Sequence, residues 1–147
     1  MSILSESNEM QKLKSHLKEQ YGEDGCRFYA YAITDFHFNS NFRNPELIIK
    51  VSYFSSEKEI TIRFSSFQFY FTSDESNMSY LADSYVDGFA FIAIYKENDM
   101  LKSMLKNGYN VEFELREKEV RDFFIFRILT QNYFVDVFTD TLPEIIY

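Results

Sequence analysis

Residues 121–140 read RDFFIFRILTQNYFVDVFTD, and this stretch determines how the rest of the chain is interpreted. It holds two runs rich in aromatic and β-branched residues, which favour strands, on either side of the polar pair Gln131-Asn132. The pattern predicts a β-hairpin with its turn at that pair. Each run also carries a charged residue near its middle, Arg127 in the first and Asp136 in the second.

A charge in the middle of a strand is paired, functional, or a sign that the strand is exposed. A loop of two or four residues at the turn puts Arg127 directly opposite Asp136. Such a pair stabilises by roughly 0.2–1 kcal/mol when exposed, and removing one member of a buried pair costs about 3–5 kcal/mol. We interpret the two residues as a structural ion pair. Two alternatives stay open, namely a functional carboxylate at Asp136 and a three-residue loop that shifts the register.

The composition predicts a single globular domain over residues 1–147. A chain of this length with 46% hydrophobic residues can bury a core without disulfides or metal. The 17 Phe and 11 Tyr favour strands, and with only 4 Gly and 2 Pro the sequence marks few tight turns. The single cysteine, Cys26, has no cysteine partner in the chain, and we interpret it as a small core residue.

One helix is predicted ahead of the strands, over residues 7–21. Ser7 is suited to cap its start and Gly22 to end it. The opposite face of the helix carries lysines and His16, which we interpret as a solvated face. The apolar residues fall on one stripe at helical spacing, and they are Met10, Leu13, Leu17 and Tyr21.

Strands are predicted for much of the remaining chain. Residues 26–38 are apolar on both sides, so this strand is expected inside the sheet. Ser65-Ser66 interrupts the alternation of a long strand at 59–72 and is expected to mark a bulge. The other predicted strands are 46–54, 89–95, 111–116 and the two arms of the hairpin.

The elements together predict an α+β fold. Its sheet is expected to be mainly antiparallel, with six or more strands and an N-terminal helix. A short internal helix is predicted at 97–108. Residues 73–88 are the most polar stretch of the chain and are expected to form a loop.

No catalytic, metal-binding or cofactor-binding motif is present in the sequence. His37 follows Asp35 at strand spacing, and such a pair can orient an imidazole for base catalysis. No motif places a Ser or Cys nucleophile beside this pair. A zinc site built from two histidines and one cysteine would need carboxylates to complete it. We therefore expect a protein that is not an enzyme and that uses no cofactor and no metal.

The charge of the chain limits its partners. A net charge of −8 argues against nucleic acid and against an anionic membrane surface, because both select basic proteins. The first residues lack the features of a signal peptide, and no apolar run is long enough to cross a membrane. The sequence therefore predicts a cytoplasmic protein whose partner is a basic protein.

The acidic side chains predict where that partner binds. Residues 64–95 contain no Lys or Arg, and carboxylates and tyrosines alternate there in the polar stretch. Carboxylates steer a basic partner, and tyrosines supply contact area at low entropic cost. An ordinary solvated loop is the alternative interpretation. The predicted partner-binding residues are Asp74, Glu75, Tyr80, Asp83, Tyr85, Asp87, Glu97 and Asp99.

Two stretches resemble a known class of protein. The sequences ITIRFSSFQFYF, residues 60–71, and RDFFIFRILTQNYFVDVF, residues 121–138, are similar to small acidic immunity proteins of bacterial toxin–immunity pairs, including contact-dependent growth inhibition systems. The two stretches hold 30 of the 147 residues, and the resemblance carries over no binding residue by position. It implies stoichiometric capture of a cognate toxin domain, often a basic nuclease, by blocking its active site or an essential surface.

Two other functional classes fit the composition. Chaperones of type III secretion systems are also small acidic α+β proteins that open with a helix, and they bind unfolded effector segments. They typically close with a helix, whereas a hairpin and a short tail are predicted here. A phage-encoded inhibitor or nucleic-acid mimic is the other alternative, because the acidity permits it.

Overall fold

The protein has an α+β fold in which two antiparallel sheets share a core with one helix. The computed structural model describes residues 7–39, 45–54, 56–67, 69–74, 85–95 and 124–147. Helix α1 spans Asn8–Tyr21, and two short 3-10 helices follow at Gly22–Cys26 and Phe28–Ala30. The strands are β1 (Tyr31–Asn39), β2 (Glu46–Tyr53), β3 (Glu59–Phe64), β4 (Phe69–Asp74), β5 (Tyr85–Phe89), β6 (Ile92–Tyr95), β7 (Phe124–Leu129), β8 (Tyr133–Thr139) and β9 (Glu144–Ile146).

The strands divide between two sheets. The first sheet has the order β1-β2-β3-β9, and the second has the order β4-β8-β7-β6-β5. Every pairing between these strands is antiparallel. The predicted α+β class with an N-terminal helix and mainly antiparallel strands is therefore confirmed. The predicted internal helix at 97–108 and the predicted strand at 111–116 lie outside the described residues.

Helix α1 forms as its sequence predicts. The side chain of Ser7 accepts a hydrogen bond from the amide of Met10, which satisfies one of the free donors at the helix start. The helix ends at Gly22, whose φ of 66° lies in the left-handed region that glycine adopts without strain. The apolar stripe is buried at Met10, Leu13 and Leu17 and joins the core of the sheets.

The core lies where the two sheets face each other. Along β2, buried residues alternate with more exposed ones, as a strand covered on one face requires. The rings of Phe64 in β3 and Phe126 in β7 meet edge-on, with their centroids 5.4 Å apart, and so join the two sheets. Strands β7 and β8 are buried along almost their whole length, so side chains on both of their faces are removed from water.

The predicted strand at 59–72 is two strands in different sheets. Strand β3 ends at Phe64 in the first sheet, and β4 begins at Phe69 in the second. Ser65-Ser66 therefore lies in the crossover between the sheets, and the predicted bulge is wrong. The carbonyl of Ser66 accepts a hydrogen bond of 2.7 Å from the hydroxyl of Thr139, which attaches the crossover to the end of β8.

The predicted strand at 26–38 starts later and lies at an edge. Strand β1 begins at Tyr31, and among the described strands of its sheet it pairs with β2 alone. Cys26 is exposed, which corrects its interpretation as a core residue. The buried residue of the preceding 3-10 helix is Gly25, whose carbonyl accepts a hydrogen bond of 2.6 Å from the Tyr31 hydroxyl.

Strands also extend into the stretch predicted as a loop at 73–88. Strand β4 continues to Asp74, and β5 begins at Tyr85. The strand predicted at 89–95 is broken by a turn, because Ala90 has a φ of 50° and β6 starts only at Ile92. Strand β9 pairs with β3 and extends the first sheet with residues that the sequence indicated only as a tail.

Candidate functional site

Arg127 and Asp136 face each other in the central pair of strands of the second sheet. They are direct partners in the register of β7 and β8, as a two- or four-residue turn requires. Two hydrogen bonds join them, from Nε to Oδ1 at 2.7 Å and from Nη2 to Oδ2 at 2.9 Å. This arrangement is the bidentate geometry that gives an arginine–carboxylate pair its strength and direction.

The surroundings keep the arginine charged. Arg127 and Asp136 are only 5% and 3% exposed. The guanidinium carbon lies 4.3 Å from the ring centroid of Tyr95 and 5.5 Å from that of Phe134. Burial alone lowers the pKa of Arg127, but the hydrogen bonds and charge of Asp136 outweigh it, so the pKa is raised. We interpret the pair as a structural element that holds the two strands in register.

Asp35 and His37 meet on the outer face of β1. The distance from Nδ1 of His37 to Oδ2 of Asp35 is 3.2 Å, and both side chains are about half exposed, at 49% and 47%. The two side chains, which strand spacing places on one side of β1, are therefore in contact. Within the described residues, no hydrogen bond joins a Ser, Thr or Cys side chain to His37.

The predicted acidic surface lies mostly outside the described residues. Glu75, Tyr80, Asp83, Glu97 and Asp99 are not among the residues that the structure describes.

The other three predicted residues are described through their backbones. Asp74 ends β4, while Tyr85 and Asp87 lie in β5. Because β4 and β5 form opposite edges of the second sheet, four strand spacings separate them, which is roughly 19 Å. A partner that contacts both ends of the predicted surface must span at least this width.

The turn of the β7–β8 hairpin is attached to the edge of β1. The amide of Gln131 donates to the carbonyl of Tyr31 at 2.9 Å. The side chain of Asn132 bonds to both main-chain groups of Ile33, accepting from the amide at 3.0 Å and donating to the carbonyl at 3.1 Å. The hairpin turn therefore acts as a short substitute strand along the first part of β1.

A bulge in β1 ends this attachment. The register with β2 shifts between Ile33 and Asp35, so that Thr34 is an extra residue. The Thr34 hydroxyl lies 2.9 Å from Oε2 of Glu59, a contact that holds the bulge against β3. Beyond the bulge, from Asp35 to Asn39, the described residues supply no backbone partner on the side of β1 away from β2.

Four aromatic rings gather between the edge strands β1 and β4. We call them the edge cluster. Phe36 and Tyr70 have centroids 5.4 Å apart, and those of Phe38 and Phe67 are 6.1 Å apart. Phe38 and Tyr70 remain 44% and 38% exposed. The cluster therefore presents apolar surface to water on the side of the fold where β1 and β4 lie, which we call the open side.

A cavity of about 340 Å³ continues from the edge cluster between the sheets. Tyr133, at the start of β8, lines it and is 47% exposed. The cavity and the cluster together form one strip along the open side of the fold. The lining residues are Ile33, Thr34, Asp35, Phe36, Thr72, Tyr133 and Val135.

Sequence reasoning did not identify this strip. Phe36, Phe38, Phe67 and Tyr70 were predicted in strands, but β1 was placed inside a sheet and β4 was joined to β3. An available signal was the disturbed alternation at Thr34 and at Ser65-Ser66, since such interruptions are frequent at the edges of sheets.

Two further features concern metals and membranes. Within the described ranges, no three His, Cys, Asp or Glu side chains come close enough together to hold a metal ion. No helix in the described part of the chain has the length and apolar character that crossing a membrane requires.

Comparisons of the chain with models of protein families, with curated proteins and with solved structures found no match.

Proposed function

We propose that the chain is an immunity protein that neutralises a cognate, basic bacterial toxin domain by stoichiometric binding. The observation that carries the proposal is the strip of exposed aromatic rings along the open side of the sandwich. Phe38, Tyr70 and Tyr133 are three of the seven large hydrophobic side chains that are exposed among the described residues. Aromatic residues are enriched where proteins bind one another, because they bury large areas at low entropic cost.

The charge of the chain supports a basic partner. With a net charge of −8, the protein attracts a cationic domain over a distance of about 8 Å at physiological ionic strength. Such steering raises the rate of association, which suits a protein that must capture a toxin before it acts. Binding through a surface needs no catalytic group, so the proposed activity is inhibition and not catalysis.

A second candidate is a chaperone that binds an effector segment. The edge of β1 beyond the bulge favours it, because an extended segment can pair with such an edge. The immunity function is the one we propose first, because exposed aromatic rings are typical of the surfaces through which folded proteins bind one another.

Co-expression tests the proposed function. The protein domain encoded directly upstream of this chain is expressed in a bacterial host with and without the chain. We expect the domain alone to arrest growth and the chain to restore it, and we expect the purified proteins to form a one-to-one complex. A toxic domain that the chain does not neutralise contradicts the proposal. A non-toxic upstream product that binds the chain as an unfolded segment favours the chaperone.

A further inference from the structure

We infer that the edge of β1 from Asp35 to Asn39 accepts an extended segment of the partner as an added strand. The segment has apolar residues on the face that meets the edge cluster and a Lys or Arg beside Asp35. This inference rests on the proposed function, since it assumes that the partner is a basic protein. It adds which surface of the chain binds and what kind of segment the partner contributes.

The backbone of β1 carries the first part of the inference. In an antiparallel ladder, hydrogen-bonded and non-hydrogen-bonded pairs alternate. Ile33 bonds to the Asn132 side chain and not to β2, so its partner Val51 belongs to a non-hydrogen-bonded pair. Strand β2 has no bulge, so every second residue along it belongs to the same type of pair. Ile49 and Leu47 are therefore also in non-hydrogen-bonded pairs with β1.

Those two residues of β2 face Phe36 and Phe38. The amide and carbonyl groups of Phe36 and Phe38 therefore point away from β2, toward the open side. Within the described residues, no hydrogen bond is made to these groups. Unpaired edges of this kind are templates for strand addition, and the main-chain hydrogen bonds supply affinity without regard to sequence.

The hydrogen bonds between the Asn132 side chain and the backbone of Ile33 show that this edge of β1 can pair with a neighbouring amide group. Asn132 already imitates a paired strand with its amide group, on the near side of the bulge. An added segment would continue the same role on the far side, where the hairpin turn does not reach. Its inward side chains would meet Phe36, Phe38 and Tyr70, which form an apolar wall with two rings exposed.

The outward side chains of the segment would meet Asp35 and His37. Asp35 is 47% exposed on this face, and a residue beside it on an added strand lies within reach of its carboxylate. Opposite charges are favoured in such cross-strand positions, which selects Lys or Arg. A second copy of this chain is a poorer occupant, because two bodies with a net charge of −8 repel each other.

The test uses the toxin domain from the co-expression experiment and two matched variants. Phe38→Lys places a charge at the proposed binding edge. Phe54→Lys makes the same change at a ring that is 42% exposed, close to the 44% of Phe38, but at the other end of the first sheet. We expect Phe38→Lys to weaken binding at least about tenfold and Phe54→Lys to change it less than about twofold.

A second measurement reports on the backbone directly. Hydrogen exchange at the amides of Phe36 and Phe38 is compared between the free chain and the complex. We expect exchange at both amides to slow in the complex, because an added strand accepts hydrogen bonds from them.

If Phe38→Lys fails to fold, Asp35→Lys takes its place in the binding test. Its control is Glu57→Lys, which makes an equal change of charge at another exposed position.

The possible outcomes separate this inference from the proposed function. A complex that forms with unchanged exchange at both amides, and with equal affinity for the two variants, overturns the inference and leaves the immunity function in place. Absence of any complex with wild type overturns both. A dimer of the chain alone that Phe38→Lys dissociates shows that a second copy occupies the edge, and this also overturns the inference.

Discussion

Arg127 and Asp136 lock the register of β7 and β8 through two hydrogen bonds between a planar guanidinium and a carboxylate. A slip of one residue would turn one strand of this hairpin over, so that the two charges would point to opposite faces of the sheet and one of them would lie among the apolar core residues. The slipped register is therefore disfavoured, because it leaves a buried charge without its partner. This effect explains why two charges are found in an otherwise aromatic hairpin.

Substitution of either member should destabilise the protein strongly. Arg127→Ala or Asp136→Ala leaves a buried charge without its partner, and we expect each to lower the free energy of unfolding by about 3–5 kcal/mol. The double variant should cost clearly less than the sum of the two. Denaturant titrations of the three variants measure these energies, and strictly additive losses would show that the side chains are not coupled.

Asn132 should matter more than its neighbour in the turn. Asn132→Ala removes both hydrogen bonds to the backbone of Ile33, and we expect a loss of about 1–3 kcal/mol. Gln131→Ala is the matched control, since the bond of Gln131 to Tyr31 comes from its main-chain amide and survives the change. Thermal melts compare the two, and similar losses for both would contradict the attachment of the turn to β1.

Serine-to-alanine changes in and before α1 should have opposite signs. Ser7→Ala removes the side-chain acceptor of the Met10 amide and should cost about 1 kcal/mol. Ser15→Ala replaces an exposed residue inside the helix by the best helix former and should stabilise by a few tenths of a kcal/mol. A melt in which Ser7→Ala is as stable as wild type would show that the cap contributes nothing.

Stability at high pH should depend on Tyr31. Burial raises the pKa of this tyrosine, because the ionised phenolate is poorly solvated in the core. The folded state thus keeps the proton where the unfolded chain releases it. The resulting stability is fully present below the unfolded pKa of about 10 and is lost as the pH rises above it.

Tyr31→Phe tests this dependence. At neutral pH the variant should be less stable by about 1 kcal/mol, because the hydrogen bond to the Gly25 carbonyl is lost. Above pH ~10 the gap between the two proteins should narrow, since only wild type loses stability through this ionisation. The free energy of unfolding of both proteins is measured at several pH values. A difference between them that does not change with pH would show that ionisation of Tyr31 does not affect stability.

The acidic residues predicted from sequence have their own test. Asp83→Lys combined with Asp87→Lys should weaken binding of the toxin domain, most strongly at low salt, because each change turns attraction into repulsion. The free energy of unfolding of the double variant is measured alongside, and a change within about 0.5 kcal/mol shows that folding is retained. Titrations at two salt concentrations decide this, and equal affinities throughout would leave the edge of β1 as the surface to pursue.

Patterns that depend on neighbours in the sequence predicted the structure well. The cap at Ser7, the stripe of α1 and the end at Gly22 follow from local chemistry, and the structure has all three. The register of the β7–β8 hairpin follows from one turn and two charges. In each case the interacting residues are close together along the chain, so spacing alone contains the information.

Features set by distant contacts could not be predicted in this way. The interrupted alternation at Ser65-Ser66 does not by itself show that β3 and β4 belong to different sheets, because a bulge within one strand interrupts the alternation in the same way. Strand β1 was expected inside a sheet because its sequence is apolar on both sides, and this pattern does not distinguish a central strand from an edge strand that packs against the second sheet. Because of these two errors, the predicted site did not include the exposed strip between β1 and β4.

The order of the strands has a consequence for synthesis on the ribosome. Strand β3 receives its outer neighbour from residues 144–146, and Ile33 receives the side chain of Asn132 from the same late part of the chain. The centre of the second sheet, β7 and β8, is also translated late. Contacts this distant in sequence close slowly. In a nascent chain that lacks residues 124–147, neither sheet is complete. The apolar surface of its aromatic strands stays exposed, and the chain stays prone to aggregation, until residues 124–147 have been translated.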